Sequence, residues 1–241
     1  MSDEVGFYRT APRGAQLSSP HQQEILQHLA ARAVAGRRLP LVLDVGSGRG
    51  SNLATLLGCA QRVIAVDVSE EALREARDAS AQTARSVAFV VASATDLPFR
   101  SSWSELTVCT EVLEHVPALD RAAAELERVT APSGHLLIST PNYRNVMGLI
   151  KLWKDWRSGT HDFDPWKAHR GGFEGFMTVP RLRRAFRDSL VVTQRGADYA
   201  FALGIRSDRL RRRLNRYLLL RPGHGRLAPW GMQYYLLMTR P

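Results

Sequence analysis

The chain has 241 residues, 44% of them hydrophobic and 23% charged, and a formal net charge of +10. That length and balance describe a soluble globular domain with one sizeable core, and no apolar run approaches the roughly 20 residues that cross a bilayer. The acidic start Met-Ser-Asp-Glu lacks the apolar stretch of a secretory signal, so the expected location is cytoplasmic.

In chain order, residues 1–20 show little periodicity and read as an arm. Residues 21–35 carry apolar residues at helical spacing, and Gly36 ends that helix. The arm and helix together make an N-terminal region of 1–36. Strands are expected at 39–45, 62–66, 86–92, 106–110 and 135–139, with helices at 51–57, from Ser69 onward, and at 119–129. Ser69 is an N-cap, and Glu70 and Glu71 suit the positive end of the helix it opens. Pro132-Ser133-Gly134 reads as a turn. Five strands alternating with helices imply a doubly wound parallel sheet with ligands at the carboxyl ends of its strands.

Residues 141–177 break the pattern: they hold Trp153, Trp156, Phe163, Trp166, Phe173 and Phe176 without a clean period. They are expected to form an insertion, a lid over the site after the fifth strand. A helix at 181–187, a sixth strand at 190–195, a basic amphipathic helix at 207–220 and a seventh strand at 232–239 follow. Cys59 and Cys109 lie in apolar stretches and read as buried residues, not a disulfide or metal pair. The excess charge lies late in the chain, with eight arginines between 206 and 226. That basic insertion before the last strand is open to several readings: a solvated face, or attraction to an anionic substrate, to RNA or to a membrane surface.

The most informative segments are 42–50, Val-Leu-Asp-Val-Gly-Ser-Gly-Arg-Gly, and 62–67, Arg-Val-Ile-Ala-Val-Asp. The first is a strand entering a loop with Gly46, Gly48 and Gly50, which lets backbone approach a ligand closely. The second ends on Asp67, an acid able to accept both hydroxyls of a ribose. A dinucleotide site needs G-x-G-x-x-G, but the third place here is Ser51. Asp44, two residues before Gly46, would repel a phosphate and suits a cofactor carrying an ammonium and a sulfonium.

The run D-V-G-S-G-R-G resembles motif I of the class I S-adenosylmethionine (SAM) methyltransferases. The resemblance covers residues 41–142 and extends more weakly to 187. It implies one methyltransferase domain over 1–241, a Rossmann-like α/β fold with a seven-stranded sheet whose last strand is antiparallel, and helices on both faces. It implies SAM as cofactor, held by Asp44, Gly46, Ser47, Gly48, Gly50, Asp67 and Val68. Thr95, Asp96 and Leu97, in Ala-Thr-Asp-Leu-Pro-Phe, resemble the segment around the adenine, and Thr110 resembles the position whose backbone meets the methionine part.

Glu111-Val-Leu-Glu114-His115-Val116, followed by Ser-Thr-Pro-Asn at 139–142, is similar to the ubiquinone-biosynthesis O-methyltransferases of the methyltransferase type 11 group. It is also similar to the small-RNA 2′-O-methyltransferases. In both, the resemblance implies a divalent ion, Mg²⁺ or Mn²⁺, on Glu111, Glu114 and His115. His169 is the preferred fourth ligand and His161 the alternative. The i, i+3, i+4 spacing would put the three on one helical turn. The other reading is a metal-free general base, His115 or His169. The expected activity is methyl transfer from SAM to a hydroxyl oxygen of a small molecule: a natural product, sugar or lipid-like metabolite. An RNA 2′-O-methyltransferase, an N-methyltransferase and a non-catalytic SAM-binding protein are the alternatives. Peripheral membrane contact is expected, if anywhere, through the basic segment at 207–220.

Overall fold

The computed structural model describes residues 20–81, 86–144, 146–161, 173–186, 191–198, 207, 209–210, 213 and 233–241. The elements run α1 (Pro20–Val34), β1 (Leu39–Val45), α2 (Leu53–Leu57), β2 (Ala60–Asp67), α3 (Glu70–Ala79), β3 (Val87–Val91) and β4 (Ser104–Thr110). A 3₁₀ turn (Leu113–His115) follows, then α4 (Leu119–Val129), β5 (Thr130–Pro141), α5 (Val146–Ser158), α6 (Val179–Ala185), β6 (Val191–Asp198) and β7 (Gln233–Thr239). The strands form one sheet in the order β3-β2-β1-β4-β5-β7-β6. Strands β1 to β5 pair in parallel, and β7 runs antiparallel to both β5 and β6.

Strand alternation splits the apolar side chains between two faces. From β7, Tyr234, Leu236 and Met238 join one core with α4 and α6, through Ala122, Leu126, Leu182 and Phe186. Tyr235 and Leu237 join the other core with α1, α2 and α3, through Ile25, Leu29, Leu56 and Leu73. Helices therefore cover both faces, as a largely parallel sheet requires. The order reverses at β1, with β2 on one side and β4 on the other, so the crevice for a ligand opens at the carboxyl ends of these three strands.

Local chemistry sets several boundaries. The Ser69 hydroxyl accepts from the Ala72 amide to start α3, and the Thr178 hydroxyl accepts from the Arg181 amide to start α6. Helix α2 starts at Leu53, not residue 51, and its N-cap Asn52 makes no capping bond. Strand β5 begins five residues before the expected 135. The Pro-Ser-Gly turn is absorbed as an irregularity within it: Ser133 takes φ +59, and pairing to β4 slips between Ser104 and Leu106. Helix α5 lies where no helical period is legible, and its packing gives the reason below. Residues 162–172, in the expected lid, lie outside the described residues. So does nearly all of 206–226, of which Arg209, Leu210 and Arg213 are helical.

Leu126 is completely buried between α4 and the sheet. Leu126→Ala is expected to lower stability by about 2–5 kcal/mol in urea unfolding, the range for a buried leucine leaving a cavity. A loss under about 1 kcal/mol would contradict this packing.

Candidate active site

The loop after β1 is held from below. The amides of Gly46 and Ser47 both donate to the Val66 carbonyl at 2.8 and 2.9 Å. The three glycines all take positive φ, at +74, +52 and +79, where side-chain-bearing residues are strained. A Cβ on Gly46 would lie 2.0 Å from Val112 Cγ2, and one on Gly50 would lie 2.7 Å from Leu53 Cδ1. Gly48 is different: the space its Cβ would enter is open. Two of the glycines therefore serve close packing, while Gly48 leaves room on the crevice side.

Asp67 ends β2 and braces the same loop, because its carboxylate accepts from the Gly48 amide and the Ser69 amide, both at 2.8 Å. Burial pushes its pKa up, and these amides pull it back. Asp44 is wholly buried beneath the glycines, and neither of its oxygens meets a hydrogen-bond donor among the described residues. Burial raises its pKa to about 6; the nearby Ser47 and Asn52 side chains oppose the rise, and the charge of Asp67 adds to it. The buried Ser47 hydroxyl also lacks a partner. An orphaned buried carboxylate and hydroxyl under an open glycine loop fit a ligand that brings donors and positive charge.

The segment after β3 is pinned by a pair that sequence reasoning missed. On α4, Glu125 accepts from the Leu97 amide, while Arg128 donates to the Leu97 and Phe99 carbonyls at 3.0 and 2.7 Å. The two side chains also bond each other, which holds the Glu125 pKa down. Leu97 is buried, while Thr95 and Asp96 sit in a tight turn, with the Thr95 hydroxyl on that of Ser93 and the Asp96 amide on the Ser93 carbonyl. Thr110 at the end of β4 accepts from the Asn52 amide group at 2.8 Å. Gln23 of α1 in turn donates to Asn52 Oδ1 and the Ser51 carbonyl. Asn52 and Gln23 were also missed, since neither belongs to a recognisable spacing.

Glu111, Glu114 and His115 do not share a helical turn, which corrects the sequence expectation. Glu111 stands outside the 3₁₀ turn with φ +55, and its amide bonds the Ser139 carbonyl. Its carboxylate accepts from the Ser139 hydroxyl and the Gln233 amide group. Burial raises its pKa against these two donors. Glu114 is also buried; desolvation first, then the charges of Glu111 and Glu174, push its pKa well up, and its oxygen accepts from Thr140 at 3.3 Å. Among the described residues no three His, Cys, Asp or Glu side chains are grouped to hold a metal ion. His169 lies outside the described residues. His161 is exposed, with Nδ1 3.9 Å from Asp155. Glu111 and Glu114 are engaged by Ser139, Gln233 and Thr140 instead, so no ligand set for the implied ion is assembled among the described residues, and no step below uses one.

His115 is instead joined to the loop before α6. Its Nδ1 lies 3.0 Å from the Phe173 carbonyl and 3.2 Å from Glu174 Oε2. Glu174 is buried and accepts from the Tyr143 hydroxyl, and the Gly175 amide bonds the Glu114 carbonyl. Both of these acceptors lie on the Nδ1 side of the ring, while Nε2 lies 4.0 Å from Glu114 Oε1. Glu174 was not singled out as a site residue from sequence; it lies 59 positions from His115.

Residues 43–138 match the family model described as a methyltransferase domain. A ubiquinone biosynthesis O-methyltransferase of Thiobacillus denitrificans is 33% identical over 138 residues, covering 54% of this chain and 58% of that protein. The chloroplastic tocopherol O-methyltransferase of Arabidopsis thaliana is 32% identical, covering 52% of this chain and 37% of that protein. The chain thus spans little more than half the length of the first of these relatives. Among solved structures, a geranyl diphosphate C-methyltransferase from Streptomyces coelicolor superposes with a TM-score of 0.60 at 15% identity, covering 90% of this chain and 76% of that one. At that identity the likeness concerns the fold.

Because the native state raises the Asp44 pKa from 3.8 to about 6, it binds this proton more tightly than the unfolded chain does. The associated stability is present below about pH 4 and is lost as pH rises through about 6. Urea unfolding should show wild type losing about 2 kcal/mol relative to Asp44→Asn between pH 4 and pH 7, most of the roughly 1.4 kcal/mol for each pH unit separating the two pKa values. A difference that stays flat across that window would contradict the buried, unpartnered carboxylate.

Proposed function

We propose that this chain transfers the methyl group of S-adenosylmethionine to a hydroxyl oxygen of a small molecule. The observation that carries the reading is the buried carboxylate of Asp44 without a donor in good geometry, beneath a glycine loop that is open at Gly48 and braced there by Asp67. The match of residues 43–138 to a methyltransferase-domain model and the O-methyltransferase names of two relatives support it. Bound S-adenosylmethionine supplies an electrophilic methyl carbon on a positively charged sulfur.

The residues then take the following roles. Gly46, Ser47, Gly48 and Gly50 let the main chain lie against the amino-acid part of the cofactor, and the charge of Asp44 favours its cationic groups. The free lone pairs of Asp67 accept the ribose hydroxyls, with Val68 alongside. Thr95, Asp96 and Leu97, held by Glu125 and Arg128, border the adenine. Thr110, braced by Asn52, lies on the methionine side. Nε2 of His115 takes the acceptor's hydroxyl proton as the oxygen attacks the methyl carbon, while Glu174 holds Nδ1 and stabilises the imidazolium that forms. Position and charge matter more here than covalent chemistry, because direct displacement needs the oxygen in line with the carbon–sulfur bond.

Calorimetry with S-adenosylhomocysteine and transfer assays with tritiated methyl donor on a panel of phenols, catechols and prenylated quinols test this. Asp67→Ala should weaken S-adenosylhomocysteine binding about tenfold or more, for the loss of hydrogen bonds to a charged group. His115→Ala should keep that affinity and lower transfer about 100-fold or more. Absence of saturable binding to wild type would refute the cofactor assignment; transfer by His115→Ala at the wild-type rate would refute the base.

A further inference from the structure

Helix α5 is packed with its polarity reversed. Its inward stripe is Gly148, Lys151 and Asp155, at the i, i+3, i+7 spacing of one helix face. Lys151 is 0% exposed, with Nζ 3.0 Å from Asp155 Oδ2 and 5.6 Å from the centre of the Tyr143 ring. Gly148 permits this close seat, since a Cβ there would lie 1.7 Å from the Tyr143 carbonyl. The neighbouring stripe, Leu149, Leu152, Trp153 and Trp156, faces outward, with Leu149 68% and Trp156 81% exposed. A globular helix buries the second set and hydrates the first.

We propose that α5 is a docking helix for an anionic bilayer surface, with Leu149, Leu152, Trp153 and Trp156 entering the interface. The exposed cations beside the stripe give the sign of the partner. Lys154 and Arg157 flank Trp153, their charged groups 5.4 and 5.6 Å from its ring centre. The one acid in the helix, Asp155, is buried against Lys151. A second copy of the chain would bring to this face the same cations and another net +10, a repulsive match. Anionic lipid complements both parts: tryptophan favours the headgroup level, and cations beside it are drawn to the negative surface. With 13 residues, α5 lies along an interface, and no described helix is long and apolar enough to cross a membrane. This helix is separate in sequence from the basic segment at 207–220, and the proposal stands independently of the methyl-transfer reading.

The test is co-sedimentation of the full chain with phosphatidylcholine vesicles, with and without phosphatidylglycerol. Wild type should partition to the anionic vesicles. Leu149→Ser/Trp156→Ser should weaken that partitioning about tenfold or more, for the loss of two apolar anchors. Lys154→Glu/Arg157→Glu should lose the preference for anionic lipid. All the substituted side chains are exposed, so both variants should melt with the wild type by circular dichroism. Three outcomes overturn the proposal: no partitioning of wild type, unchanged partitioning of the apolar variant, or a wild-type dimer in sedimentation equilibrium that the apolar variant abolishes.

Discussion

The contact between Gly46 and Val112 is the constraint on which the site depends. The loop after β1 and the loop after β4 approach so closely that no side-chain carbon fits at Gly46. One loop carries the glycines and overlies Asp44; the other carries Glu111, Glu114 and His115. The two loops therefore pack directly on each other at Gly46. The positive φ of Glu111 belongs to the same arrangement: it turns the chain into the 3₁₀ segment while the carboxylate reaches back to Ser139 and Gln233.

Around that contact the site gathers buried acids. Asp44, Glu111 and Glu114 all have raised pKa values, and burial is the first cause in each. Their surroundings differ in a way that separates their roles. Glu111 meets two donors and Glu114 one from Thr140, so both are tied to the fold. Asp44 has no donor in good hydrogen-bond geometry, only the weaker pull of the nearby Ser47 and Asn52 side chains, and a buried charge so poorly partnered costs the native chain stability. The Tyr143–Glu174–His115 chain works the other way: each polar group finds a partner, and the imidazole is held in one orientation.

The parts of this architecture legible in the sequence were those with a short local period or a strict backbone demand. Alternating apolar strands and the Gly46, Gly48 and Gly50 spacing placed the crevice, because only glycine meets those φ values at low cost. What escaped notice depends on contacts between distant segments. Glu174 reaches His115 across 59 positions, Arg128 pins the 97–99 segment from α4, and Gln23 braces Asn52 from α1. Helix α5 was hidden for a different reason: it buries Lys151 and exposes Trp156, so its pattern opposes the one a helix search seeks. The Glu111–His115 run misled in the opposite sense, since helical spacing in sequence is not a helix when one member sits at φ +55.

The most direct test of the central claim, that the crevice between the glycine loop and Asp67 takes a cationic adenosyl cofactor over a buried Asp44, is a crystal structure of the chain with S-adenosylhomocysteine. Both ribose hydroxyls are expected within about 3 Å of the Asp67 carboxylate, a normal hydrogen-bond distance, with the ligand's ammonium at the Gly46–Gly48 backbone on the Asp44 side and the adenine beside Asp96 and Leu97. Ligand density elsewhere, or an ammonium directed away from Asp44 toward solvent, would contradict it.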